Sequence, residues 1–127
     1  RDALFVALLL LEAIVEGGQP LGERLKSLQR KYGGDSHYGR IDMRLKNMET
    51  RYRLEEFLSN PPPSKVAGCI VQEVIRIDGL KLRFGQSHWL MLRLSGTEPL
   101  LRIYCEAPTK EELNRTLDWA KKLTETI

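Results

Sequence analysis

The stretch of this sequence best suited to chemistry is Arg93-Leu94-Ser95-Gly96-Thr97-Glu98-Pro99, with Arg102 close behind it. Two hydroxyls and a glycine fall in a tight turn with a guanidinium on either side. Glycine allows successive backbone N–H groups to turn inward as an anion-binding nest, and Ser95 and Thr97 add hydroxyl donors. Arg93 brings a planar fork suited to bidentate contact with a phosphate. Alternation along the strands decides where these groups point. Leu90, Leu92 and Leu94 share one face, leaving Met91, Arg93 and Ser95 on the other; Leu101, Ile103 and Cys105 face the core in the next strand, leaving Arg102, Tyr104 and Glu106 opposite. Both arginines are therefore expected on the non-core face beside one loop, where a phosphate clamp needs them. The plain alternative is a polar turn, since Ser-Gly-Thr is common in hairpins and Pro99 simply restarts a strand.

Little else in the sequence carries chemistry. There is no HExxH, GxSxG or Walker loop and no cluster of paired carboxylates, so no catalytic residue and no metal ligand is assigned. His37 and His88 lie at strand edges and read as surface or structural residues. Cys69 and Cys105 sit inside apolar runs without metal-ligand spacing, as reduced thiols of a cytoplasmic protein do. Trp89 and Trp119 read as core or helix–sheet anchors. Arg51-Tyr52-Arg53 reads as a solvated helix face.

The elements that must position the loop follow from periodicity. Residues 3–16 form a helix that is apolar nearly all round, which calls for burial on more than one side. Gly17-Gly18 ends it, and Pro20 opens a second, amphipathic helix through Leu21, Leu25 and Leu28. Together they predict an α-helical hairpin with more apolar surface than it can bury by itself. Gly33-Gly34-Asp35-Ser36 is the candidate linker, dividing residues 1–34 from residues 35–127. Beyond it, His37 to Lys46 alternates as a half-buried strand, and Asn47 caps a helix that Pro61-Pro62-Pro63 forbids from continuing. Ala67 to Ile77 reads as a strand, Asp78-Gly79 as a hairpin turn, and strands follow over 80–84, 89–94 and 100–107. Thr109 and Glu112 make a capping box for a last helix striped by Leu113, Leu117, Ala120 and Leu123. The fold class is α+β: an antiparallel four-stranded sheet with helices packed on one face, preceded by the helical hairpin.

With 127 residues, 42% hydrophobic and 29% charged, the chain has room for one compact domain with an appended element and is neither disordered nor fibrous. Twenty Lys and Arg against seventeen Asp and Glu give a net charge of +3. Each stretch of the chain mixes the two signs almost evenly, whereas a nucleic-acid footprint needs basic residues gathered on one face. The second reading, a basic RNA- or protein-binding α+β module, is weakened further by the scarcity of exposed sheet aromatics beyond Tyr104. The apolar run from Ala3 to Leu11 is too short to span a bilayer and lacks a cleavage site, so no membrane partner is expected. Self-association through the residue 3–16 helix is expected instead. The first residue, Arg1, suggests a start inside a longer protein.

Arg93-Leu94-Ser95-Gly96-Thr97-Glu98-Pro99 followed by Leu101-Arg102-Ile103-Tyr104 strongly resembles the C-terminal phosphate-binding loop of the α-D-phosphohexomutases, the phosphoglucomutase/phosphomannomutase family. The likeness runs over the whole chain: Asp78-Gly79 with Leu80-Lys81 resembles the hairpin before that loop, and Arg1-Asp2 leading into a Leu-rich helix resembles the end of the family's third domain. The family usually has Pro where Leu94 stands and Gly where Ala3 stands. The resemblance implies a four-domain isomerase that transfers a phosphoryl group from a serine phosphate to its sugar. Its Mg²⁺ would sit on an aspartate loop outside these residues, and its sugar-binding loop would lie outside them too. What remains here would be the last domain, with Arg93, Ser95, Gly96, Thr97 and Arg102 gripping the substrate's non-reacting phosphate. Its partners would be a phosphosugar and the other domains of the parent enzyme, and these residues alone would be inactive.

Overall fold

A computed structural model describes residues 2–32, 34 and 36–127. Arg1, and Gly33 and Asp35 of the expected linker, lie outside the described residues. The chain divides into two compact units, residues 1–35 and 36–127.

The first unit holds helices α1 (Ala3–Gly17) and α2 (Leu21–Tyr32). Asp2 caps α1 by accepting from the Phe5 N–H at 3.0 Å, and the chain turns at Gly18, whose N–H reaches the Ile14 carbonyl. The chain bends by 85° between the two helices, so the expected helical hairpin is an open corner. No residue of α1 is buried; Leu4 and Val15 are 80% exposed and Leu8 63%. No single described helix is long and apolar enough to cross a membrane.

The second unit is α+β, as expected. Its strands β1 (His37–Arg44), β4 (Glu73–Ile75), β5 (Leu80–Gly85), β6 (His88–Leu94) and β7 (Leu100–Ala107) form one antiparallel sheet in the order β1-β7-β6-β5-β4. Helix α3 (Met48–Ser59) follows β1, and α4 (Lys110–Thr126) follows β7 and packs against β1 and β7. Both caps form as read from the sequence: Asn47 Oδ1 accepts from the Thr50 N–H at 2.8 Å, and Thr109 Oγ1 accepts from the Glu112 N–H at 3.2 Å.

The sheet has five strands where the fold class named four, one strand from each of the five runs read from the sequence, and the Ala67–Ile77 run contributes far less than its length. It is not one strand: Ala67 (φ 49°) and Gly68 (φ 85°) make a tight turn between the two-residue strands β2 (Lys65–Val66) and β3 (Cys69–Ile70). Only Glu73–Ile75 then joins the main sheet, as its short edge. Alternation delivers Leu80, Leu82, Leu90, Leu92, Leu101 and Ile103 to one face, all essentially inaccessible and part of one core with Leu54 of α3 and Ala120 of α4. Each such side chain contributes about 2 kcal/mol by burial.

Candidate phosphate-binding site

Strands β6 and β7 pair so that Arg93 lies directly opposite Arg102, and the Ser95–Pro99 loop joins the two strands just beyond them. Backbone bonds from Ser95 N–H to the Leu100 carbonyl (2.9 Å) and from Leu100 N–H to the Glu98 carbonyl (2.8 Å) close the loop. Both arginines stand on the open face of the sheet, as alternation predicts. Like charges directly opposite one another destabilise a pair of strands. Here each guanidinium is matched by a nearby carboxylate: Arg93 Nε lies 3.1 Å from Asp78, and Arg102 Nη2 lies 3.1 Å from Glu98. The Nε of Arg102 is buried and has no partner among the described residues.

The Asp78 contact depends on the backbone beside it. Gly79 has φ 109°, and a Cβ there would lie 2.4 Å from the Leu92 carbonyl oxygen. Only glycine lets this end of β5 approach β6 so closely, and that approach brings Asp78 to Arg93. The hairpin is longer than the Asp78-Gly79 pair suggests, because Arg76 to Gly79 all lie between β4 and β5. The Arg76 guanidinium donates to the carbonyls of Leu58 and Asn60, tying this connection to the end of α3.

The loop residues divide into supports and open groups. Ser95 does not share the open face with Arg93: it lies past the end of β6, is 4% exposed, and its Oγ accepts from the Glu98 N–H at 3.3 Å. Alternation holds only while a strand lasts. The Ser95 hydroxyl therefore holds the loop from within, and its own hydrogen has no acceptor among the described residues. Gly96 and Thr97 are exposed, and their N–H groups have no backbone partner among the described residues. Gly96 does not have positive φ, so the alternating backbone of a nest is not formed, and a Cβ on it would meet nothing within 4 Å. Nothing among the described residues calls for glycine there, and the space beside it is open.

Three basic residues on the far flank of the loop escape the sequence reading. A cleft of about 580 Å³ is lined by Gly96, Thr97, Glu98 and Pro99 on one wall and by Arg44, Lys46, Asn47 and Arg51 on the other. Arg93 and Arg102 do not line it. Arg51 is not merely part of a solvated face: its Nη1 donates to the Ser95 carbonyl at 3.2 Å and its Nε pairs with Glu55 at 2.9 Å. The first turn of α3 also lies in this wall and presents the positive end of the helix. Arg44 and Lys46 arrive there because β1 ends beside the start of β7, with Leu45 N–H donating to the Pro99 carbonyl at 2.9 Å.

Other singled-out residues take structural places. His88 is buried, not at a surface edge; its Nε2 lies 3.2 Å from Thr116 Oγ1 and its ring packs edge-on to Phe84. Burial holds its pKa below the usual histidine value, and Arg115 adds to that while Glu112 opposes it. Burial pushes the Cys105 thiol up to about 12. Trp89 is not a core anchor: it stands on the open face, donates from Nε1 to Glu106 at 2.8 Å, and lies under the Lys81 ammonium at 4.1 Å. Trp119 does pack against the core. His37 opens the edge strand β1, half-buried. No group of three His, Cys, Asp or Glu among the described residues is placed to hold a metal.

Residues 43–121, from the end of β1 through most of α4, match the family model described as phosphoglucomutase/phosphomannomutase, C-terminal domain. The chain belongs to this mutase family. It is 31% identical over 131 residues to a probable phosphoglucosamine mutase of Pyrococcus horikoshii, covering 99% of this chain and 26% of that protein. It is 30% identical to a phosphoglucosamine mutase of Halorhodospira halophila, covering 98% of this chain and 23% of that protein. A phosphopentomutase of Thermococcus kodakarensis is 34% identical over 50 residues, which is 39% of this chain. The chain thus spans about a quarter of the length of the two mutases it matches end to end.

Proposed function

We propose that this chain is the C-terminal part of a cytoplasmic phosphohexomutase and that its Ser95–Glu98 loop, with Arg93 and Arg102, grips the phosphate of a phosphosugar during intramolecular phosphoryl transfer. The observation that carries this reading is the direct opposition of Arg93 and Arg102 beside a loop whose Gly96 and Thr97 N–H groups are open. Two guanidiniums in register repel one another, and a phosphate dianion between them turns that repulsion into two charge-assisted contacts. The unpartnered Nε of Arg102 would gain its missing acceptor in the same step. Asp78 and Glu98 occupy the guanidiniums until the anion displaces them, and these exposed ion pairs are weak enough to yield.

In this reading no residue of the chain touches the reacting bond. Energy gained at a remote phosphate orients the sugar toward the transfer site. The serine phosphate and Mg²⁺ that the family resemblance implies would belong to the rest of the polypeptide, as would the domain covering the apolar surface of α1. The chain alone is then inactive. The names of the two end-to-end relatives make glucosamine 6-phosphate the first phosphosugar to try. Calorimetric titration of the 127-residue chain should give millimolar binding for glucosamine 6-phosphate and for inorganic phosphate, and none for glucosamine, since one loop supplies only part of the contacts. Equal binding of glucosamine and its phosphate, or no binding of either at about 50 mM, contradicts the proposal.

A further inference from the structure

One edge of the sheet is β1, eight residues long and paired to β7 without a register shift. The Leu45 N–H to Pro99 carbonyl bond fixes the phase of that pairing. The odd-numbered residues from His37 to Leu45 exchange hydrogen bonds with β7, so the N–H and C=O groups of Tyr38, Arg40, Asp42 and Arg44 point outward. No backbone bond beyond the sheet takes them up among the described residues. Proline, lysine and bulges, the usual means of blunting an edge, are all absent from this strand. The charged residues Arg40, Asp42 and Arg44 all stand on the open face of the sheet.

A second copy can add to this edge antiparallel about a two-fold axis only if even-numbered residues face even-numbered ones. Three registers bring the middles of the strands together. Centring on residue 40 sets Arg40 against Arg40, and centring on residue 42 sets Asp42 against Asp42 and Arg40 against Arg44; both oppose like charges. Centring on Ile41 sets Arg40 opposite Asp42 of the second copy and Tyr38 opposite Arg44, each of them twice. We propose that two copies of this chain pair through β1 in the register centred on Ile41, making one continuous sheet from the five strands of each.

Four residue pairs would exchange two hydrogen bonds apiece across the axis, all with groups that now face solvent. Arg40 already bonds Asp42 of its own chain at 2.6 and 2.7 Å, so pairing would assemble a square of alternating charges. The Arg40 guanidinium holds the Asp42 carboxyl below its usual pKa, keeping it ionised for that square. On the other face Ile41 would meet Ile41 beneath the two copies of α4. The pairing also reaches the cleft: Arg44 lines it, so Tyr38 of the second copy would stand against a residue of its wall.

The test is sedimentation of the 127-residue chain over a range of concentrations, with amide exchange followed by NMR. The expected result is a dimer at high concentration in which the amides of Tyr38, Arg40, Asp42 and Arg44 slow together as dimer fills. Arg40→Asp and Asp42→Arg should each weaken the dimer about tenfold or more, and the double variant Arg40→Asp/Asp42→Arg should restore it, because its rows are again complementary. Thermal melts check that each variant folds. A monomer at every concentration overturns the proposal. So does an association that leaves the four amides fast and ignores the charge swaps, which is how association through α1 alone would behave.

Discussion

Arg93 and Arg102 stand at one register position, where the proposed phosphate binding would come at a cost in stability. Arg102→Met should weaken phosphosugar binding about tenfold or more, by removing charge-assisted contacts and the buried Nε–H. Relief of the cross-strand repulsion should leave stability to urea unchanged or raised by up to about 0.5 kcal/mol. A variant that instead unfolds easily would mean that Arg102 is a structural residue. Gly79 is the opposite kind of position: Gly79→Ala forces a side chain into the Leu92 carbonyl at positive φ and should cost about 2 kcal/mol or more in urea melts. His88 ties stability to pH. Its folded pKa lies below the unfolded value of 6.5, so the unfolded chain binds the proton more tightly and acid favours unfolding. Stability should be level above about pH 7 and fall as pH drops through 6.5 toward the folded pKa, a fall that His88→Gln should flatten. Alternation made the shared face of the two arginines legible. It also assigns Trp89 to that face, against the general expectation that tryptophans are buried. It says nothing of Ser95, whose place is set by the turn and not by the strand.

Among the elements, those with their own local signals were the readable ones. Asn47, Thr109 with Glu112, and Gly17-Gly18 end or begin helices through bonds to neighbours a few residues away. The breaks in the Ala67–Ile77 run were hidden, because Ala67 at positive φ is a conformation that its residue type does not announce. The cleft was hidden for a different reason. It needs the end of β1, the first turn of α3 and the Ser95–Pro99 loop to meet, and that meeting is set by the β1–β7 register across more than fifty residues. Helix α3 thereby forms part of the cleft wall, a place that its own sequence does not suggest. Asn47→Ala should cost about 1 kcal/mol, read from urea melts, through loss of its bond to Thr50. It should also weaken phosphate binding if the α3 wall of the cleft contributes to it.

At the scale of the molecule, the two units differ in how far they satisfy themselves. Residues 36–127 bury a continuous core, while α1 leaves Leu4, Leu8, Leu11 and Val15 in the open. Replacing Leu8 and Leu11 by lysine should reduce light scattering by concentrated solutions of the chain and leave the proposed phosphate binding unchanged, since the groups proposed for it all lie in the second unit. The net charge of +3 first directs attention to polyanions. Once placed, Arg40, Arg83, Arg93 and Arg102 of the open face stand beside carboxylates, and among the described residues the buried nitrogen left without a partner is the Arg102 Nε, next to the loop. The most direct measurement is a ¹H–¹⁵N titration of the chain with glucosamine 6-phosphate that follows both backbone amides and arginine side chains. Saturable shifts at the Gly96 and Thr97 amides and at the Arg102 Nε–H, absent with glucosamine, are the predicted result. Shifts confined to other cations of the surface, with the loop silent at saturation, would contradict it.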